Sequence, residues 1–273
     1  MTLVMHRLPK HWHPEDAYGF ALKSGDRDPE PEEATVPGPL LVLRRNEPVV
    51  ITLKNELPEA TAIHWHGIEL ESYYDGVPGW SGTSSSTTPA IEPGGTFNVR
   101  FTPPRAGTFM YHTHSHDNRQ LASGLYGAIV VLEPGETFDP LRDHVVVLGM
   151  EGTKDTQKYA RFPVIINGSR DAAPTLKSGV VHRFRFINIT SNFGGLNVSL
   201  ISASEPIPWR PIAKDGANLP ANQQIVRPAF RQQISVGETF DFEVEPPPAG
   251  ALWLDLRRAS GEWVQQVRMP IVR

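Results

Sequence analysis

An internal repeat restricts the fold of this chain more than any other feature. Gly94-Gly95-Thr96-Phe97-Asn98-Val99-Arg100-Phe101-Thr102-Pro103-Pro104-Arg105-Ala106-Gly107 recurs as Gly237-Glu238-Thr239-Phe240-Asp241-Phe242-Glu243-Val244-Glu245-Pro246-Pro247-Pro248-Ala249-Gly250. Each copy reads as a strand followed by a proline-stiffened turn. Upstream, Leu53-Lys54-Asn55 matches Phe186-Ile187-Asn188. Nine residues beyond each asparagine comes the same kind of strand, His64-Trp65-His66 in the first copy and Asn197-Val198-Ser199 in the second. Two sister domains follow, and 273 residues are enough for two cores of ordinary size.

The 26 prolines and 23 glycines are spread throughout and separate short runs such as Val49-Val50-Ile51-Thr52-Leu53 and Gly127-Ala128-Ile129-Val130-Val131-Leu132. Such spacing is that of strands and turns. No window sustains a helical period over three turns, so the expected class is all-β, with one short helix around residues 118–123. The predicted division is an arm over residues 1–35, ending in Asp28-Pro29-Glu30-Pro31-Glu32-Glu33, then domains over residues 36–138 and 139–273. Turn residues between Glu133 and Arg142 mark the boundary.

Composition removes several classes of function. The chain contains no cysteine, which excludes disulfides, thiolate nucleophiles, iron–sulfur clusters and cysteine-type zinc sites within it. A net charge of −4 without a basic run gives no reason to expect a nucleic-acid partner. No apolar run approaches the length that spans a bilayer, so no membrane partner is expected. Met1-Thr2-Leu3-Val4-Met5 followed by His6 and Arg7 lacks the charged leader and apolar stretch of a secretory signal. The expectation is a cytoplasmic protein, or one whose native start has been removed.

Chemistry concentrates in two histidine pairs, His64-Trp65-His66 and His112-Thr113-His114. In a strand, residues i and i+2 share a face, so each pair projects two imidazoles together. Two such strands side by side would present four imidazoles to one point, a set that suits transition metals. His116 extends the alternation if the strand continues, and a turn there would end it. A single such pair is commonly a satisfied pair on a strand; two pairs in one domain, absent from its repeat, point to metal. In the second copy Asn197, Ser199, Asp255 and Arg257 fall at the matching positions. Of the other histidines, His6, His144 and His182 stand alone, and only His11-Trp12-His13 has ligand-like spacing. Ser115 and Ser84-Ser85-Ser86 offer hydroxyls for Ser/His/Asp catalysis, but no Gly-x-Ser-x-Gly elbow accompanies them.

Val36-Pro37-Gly38-Pro39, His64-Trp65-His66-Gly67, Tyr73-Tyr74-Asp75-Gly76, Ile91-Glu92-Pro93-Gly94, the run from Gly107 through His114, and Gly124-Leu125-Tyr126-Gly127 follow one another in this order. Together they resemble the first domain of multicopper oxidases, the laccase-like proteins, over about residues 36 to 135. The remainder, with Ile166-Asn167-Gly168, Arg183-Phe184-Arg185-Phe186-Ile187-Asn188 and Asp215-Gly216, resembles the family's second, copper-free domain. The resemblance implies two consecutive cupredoxin-like Greek-key β-sandwiches and a copper cofactor of one to three ions, with zinc the lesser alternative. It implies His64 as a type 2 copper ligand, His66, His112 and His114 as type 3 ligands, and Asp75 as an acid that delivers protons to reduced oxygen. A turn aspartate before Gly76 is the plainer reading of Asp75.

Family members with three domains draw the other half of these ligands, and a cysteine-containing type 1 site, from a third domain, which this sequence does not include. The missing ligands would come from a neighbouring subunit in a homo-oligomer such as a trimer, or from a separate chain or removed sequence; otherwise the site is reduced to one or two ions held by His64, His66, His112 and His114 with a position open to a small ligand or oxygen. The expected function is copper-dependent oxidoreduction of small-molecule substrates or dioxygen. The alternatives are a non-catalytic copper-binding or partner-docking protein and a hydrolase using a metal-activated water. If the start has been removed, the resemblance implies a periplasmic or secreted protein.

Overall fold

The computed structural model describes residues 1–12, 15–152, 164–190 and 194–273. The chain divides into two compact units, the first built on Met1–Gly135 and the second on Glu136–Met150 with the described residues from 164 onward.

The first unit contains β1 (Thr2–Leu8), β2 (Ala17–Leu22), β3 (Gly38–Arg44), β4 (Val49–Asn55), β5 (Ile63–His66), the small hairpin β6 (Gly82–Thr83) and β7 (Ser86–Thr87), β8 (Thr96–Phe101), β9 (Gly107–Thr113), α1 (Asp117–Ser123) and β10 (Tyr126–Leu132). One sheet has the order β2-β1-β4-β8 and the other β3-β10-β9-β5. Their facing sides share one core, in which Met5, Ile51 and Val99 from the first sheet meet Trp65, Phe109, Tyr111 and Ile129 from the second. Each large side chain buried there contributes about 1.5–3 kcal/mol. The strands earn their place through period-2 patterning: in β5, Ile63 and Trp65 are buried in this core while His64 and His66 alternate with them.

Residues 1–35 are not an arm. They supply β1 and β2 to the first sheet, and β1 pairs parallel with β4, Thr2 opposite Thr52 and Leu3 opposite Leu53. Leu3, Val4 and Met5 are all buried, so this strand lacks the alternation of a half-exposed one. The Pro/Glu-rich run at residues 28–33 is the connection between β2 and β3.

The second unit contains β11 (Asp143–Met150), β12 (Val164–Ile166), β13 (Leu176–Lys177), β14 (His182–Asn188), β15 (Leu196–Ser202), β16 (Glu205–Pro206), β17 (Pro208–Lys214), β18 (Ala217–Asn218), β19 (Arg227–Pro228), β20 (Gln232–Ile234), β21 (Thr239–Val244), β22 (Ala251–Arg258) and β23 (Trp263–Val272). Its sheets run β12-β11-β14-β21-β17-β18 and β13-β23-β22-β15-β16. The sequence repeat is a structural one: β12-β11-β14-β21 reproduces β2-β1-β4-β8, and β13-β23-β22-β15 reproduces β3-β10-β9-β5. Lys54 faces Thr96 in the first unit and Ile187 faces Thr239 in the second, the same register in repeat coordinates. Among the described residues no helix is long and apolar enough to cross a membrane.

Candidate metal centre

The centre is built on the pairing of β5 with β9, which sets His64 opposite His112 and Trp65 opposite Tyr111. Alternation sends Trp65 and Tyr111 into the core, and His64, His66 and His112 therefore share the other face of the sheet. The ring of His64 lies 5.4 Å from those of His66 and His112 and 5.5 Å from that of His114. One nitrogen from each of His64, His66 and His112 lies within 4.8 Å of the other two. His114 stands beside this trio, its ring stacked at 6.1 Å from His112 and its backbone N–H donating to Ala62 at 2.9 Å.

The spacing of the nitrogens suits a metal ion. His66 Nδ1 and His112 Nε2 are 3.3 Å apart. Two imidazole nitrogens held at about 2.0–2.1 Å from one tetrahedral ion are separated by about 3.3 Å. A donor set of imidazoles alone suits copper, zinc, iron or nickel and disfavours magnesium or calcium.

Neighbouring groups fix which nitrogens are presented. His64 Nδ1 donates to the backbone carbonyl of Asp75 at 2.8 Å, and His112 Nδ1 donates to the carbonyl of Thr113 at 2.8 Å. Each of these bonds places the ring proton on Nδ1 and leaves the lone pair on Nε2. Burial, with a smaller contribution from the other three histidines, pulls His112 down to about 3. At neutral pH it is uncharged, as a metal ligand must be.

Asp75 follows a 3-10 turn, Ser72–Tyr74. Its carboxylate lies 3.3 Å from His64 Nδ1 through Oδ1 and accepts from Ser81 Oγ at 3.1 Å through Oδ2. Next to it, Gly76 has φ 84°, and a Cβ there would sit 1.8 Å from the carbonyl oxygen of Ile63. Only glycine lets this loop close onto β5 and bring Asp75 to His64.

The other histidines are placed differently. At His116 the chain turns into a left-handed conformation with φ 50° ahead of α1, which ends the alternation; the residue is exposed and outside the trio. His11 is exposed and packs edge-on against Trp12 at 4.5 Å, while His13 lies outside the described residues. In the second unit the positions matching the pairs hold no imidazole. There Arg257 Nε donates to Asp255 at 2.9 Å and Asn197 Nδ2 to the carbonyl of Arg258 at 3.0 Å. The β15–β22 pairing sets Asn197 opposite Arg257 and Ser199 opposite Asp255, a shift of two residues from the His64–His112 register that keeps every side chain on its face.

A buried polar cluster behind the histidines carries no signal in the sequence. Gln120 of α1, wholly buried, accepts from Thr61 Oγ1 at 2.7 Å and Thr113 Oγ1 at 2.8 Å, and donates to the carbonyl of Ala60 at 2.9 Å.

One β-sandwich carries paired histidines on adjacent strands of one sheet, and the sister sandwich carries none at the matching positions. Residues 33–136 match the family model described as multicopper oxidase. A copper resistance protein A homolog of Pseudomonas syringae pv. tomato is 44% identical over 41% of this chain and 18% of its own length. Copper resistance protein A of Escherichia coli is 38% identical over 46% of the chain and 20% of its own length. The chain thus spans about a fifth of these relatives. Multicopper oxidase mco of Staphylococcus aureus matches more of it, 29% identical over 73% of this chain and 46% of that protein. Among solved structures, a multi-copper oxidase from Pseudomonas thermotolerans superposes on 100% of the chain and 63% of itself, with a TM-score of 0.76 and 23% identity. A blue copper oxidase from Nitrosomonas europaea covers 99% of the chain and 85% of itself, with a TM-score of 0.72 and 20% identity. These two likenesses show the shared fold, and copper is the metal the family uses.

Proposed function

We propose that this chain binds copper through His64, His66, His112 and His114 and takes part in the oxidation of small molecules with dioxygen as electron acceptor. The observation that carries the reading is the 3.3 Å separation of His66 Nδ1 and His112 Nε2 on one face of a multicopper-oxidase domain. Copper, when bound, supplies the one-electron steps. The chain's own residues hold the geometry: Asp75 and Thr113 carbonyls orient His64 and His112, and the Trp65–Tyr111 layer keeps both strands anchored in the core. Reduction of dioxygen to water consumes protons. The Asp75 carboxylate, linked to Ser81 and close to His64, is placed to relay them. Three or four imidazoles leave coordination positions open, and residues of another copy or another chain would complete the set.

Oxygen uptake by the copper-loaded protein with a phenolic or ascorbate reductant tests this reading. Uptake that vanishes in His112→Ala supports it. Copper bound tightly with no uptake favours the second reading, a copper-binding protein without turnover. That reading draws on the absence of cysteine from these 273 residues, which leaves no thiolate for an electron-entry copper here. Stoichiometric zinc without copper would contradict both.

A further inference from the structure

We infer that Gln120 is a positioning residue that fixes the spacing between the two histidine pairs. The two pairs reach the site from separate segments, and their strands end where the pairs must meet. Thr61 lies just ahead of β5, three residues before His64, and Thr113 separates His112 from His114. A short run of pairing, from Ile63 opposite Thr113 to His66 opposite Met110, ties the segments directly, extended by the His114 N–H to Ala62 bond at 2.9 Å and a 3.3 Å contact between the Thr61 and Thr113 hydroxyls.

Gln120 ties them a second time. Its Oε1 receives the hydroxyl protons of both Thr61 and Thr113, at 2.7 and 2.8 Å, and its Nε2 donates to the carbonyl of Ala60 at 2.9 Å. Thr113 Oγ1 in turn accepts from the backbone N–H of Ser115 at 3.2 Å, which holds the chain just beyond His114. Gln120, Thr61 and Thr113 are fully buried, and such a network has one arrangement that satisfies its members. The backbone of Gln120 takes part as well: its carbonyl accepts from Leu125 N at 3.2 Å, and Leu125 O accepts from Thr113 N at 2.9 Å. A single amide thereby sets where α1 sits against β9 and where the approach to β5 sits against both. An apolar residue of the same size would fill the space and leave the segments free to shift, which spreads imidazole nitrogens whose spacing a metal ion requires.

The consequence for metal rests on the copper reading above; the clamp itself does not. The test uses the full chain with Gln120→Leu, Gln120→Glu and Thr113→Val. In metal-free protein, amide hydrogen exchange at His114 and Ser115 is expected to quicken at least about tenfold in Gln120→Leu and Thr113→Val, with amides of the β4–β8 pairing unchanged. Cupric ion titration is expected to show an affinity loss of about tenfold to a hundredfold, the usual effect of removing a group that orients ligands. It should appear at a temperature where the metal-free variants are folded. Gln120→Glu, whose protonated carboxyl offers an accepting oxygen and an O–H in the same places, is expected to retain most of the wild-type affinity. If Gln120→Leu fails to fold, Thr113→Val decides. Unchanged exchange in the folded variants overturns the clamp whatever copper does. Faster local exchange with copper affinity unaltered overturns the positioning role. Faster local exchange in a protein whose wild type takes up no copper supports the clamp and refutes the copper reading.

Discussion

His144 and His182 form a buried pair in the second unit that is predicted to make the protein acid-sensitive. His144 Nε2 and His182 Nδ1 are 2.8 Å apart, and the Lys177 backbone meets His182 Nε2 with its N–H at 3.0 Å and its carbonyl at 2.9 Å. With the His182 proton on Nδ1 the neutral pair is satisfied, Nδ1 donating to His144 Nε2 and Nε2 accepting from the Lys177 N–H. An extra proton on the pair would bury a charge and, by protonating His182 Nε2, leave the Lys177 N–H without its acceptor. Burial first, and His182 second, pull His144 down to about 4 from 6.5, against a smaller opposing pull from Asp143 and Asp139. Below pH 6.5 the unfolded chain takes up a proton that the folded one refuses, so stability is full above 6.5 and falls as the pH drops toward 4. At about 1.4 kcal/mol per unit the loss amounts to about 3 kcal/mol. Urea unfolding of wild type and His144→Leu at intervals from pH 7.5 to 4 measures it. The wild type should lose about 3 kcal/mol more than the variant over that range. Parallel curves would refute the assignment of this acid sensitivity to the pair.

Three further outcomes are expected. Gly76→Ala should lower stability by about 2 kcal/mol or more, because a side chain at positive φ adds to the clash with Ile63, and it should weaken copper uptake at His64; an unaltered melting temperature would contradict the tight loop. Asp75→Asn keeps the backbone carbonyl that orients His64, so copper content should stay at the wild-type level while oxygen consumption falls about a hundredfold; full oxygen consumption would remove Asp75 from the proton relay. His112→Ala with His114→Ala should abolish copper uptake and leave the near-ultraviolet circular dichroism of the Trp65–Tyr111 core intact, since those rings lie on the opposite face of the sheet.

Much of the architecture was legible because repeated patterns report repeated structure. The match between Gly94–Gly107 and Gly237–Gly250 located β8 and β21, and the asparagines Asn55 and Asn188 marked the ends of β4 and β14. The alternation in Ile63-His64-Trp65-His66 gave the face of each histidine. The first two strands were missed because Leu3, Val4 and Met5 are apolar without alternation, as suits a strand paired in parallel with β4. Proline and glutamate at residues 28–33 then suggested an arm where the chain only crosses between strands. The shifted register of β15 against β22 leaves no mark in sequence, because a slip of two residues preserves every face. Gln120 is silent for another reason: a glutamine in a short helix looks solvated until the fold brings Thr61 and Thr113 to it. The orientation of His64 by a backbone carbonyl is equally invisible, since every residue has one.

Metal content per chain, combined with electron paramagnetic resonance of protein purified without added chelator, tests the central claim most directly. The account predicts bound copper with the spectrum of an imidazole-ligated, non-blue site, lost when His66 and His112 are replaced by alanine. A chain that binds no copper, or binds it unchanged without those two histidines, would contradict it.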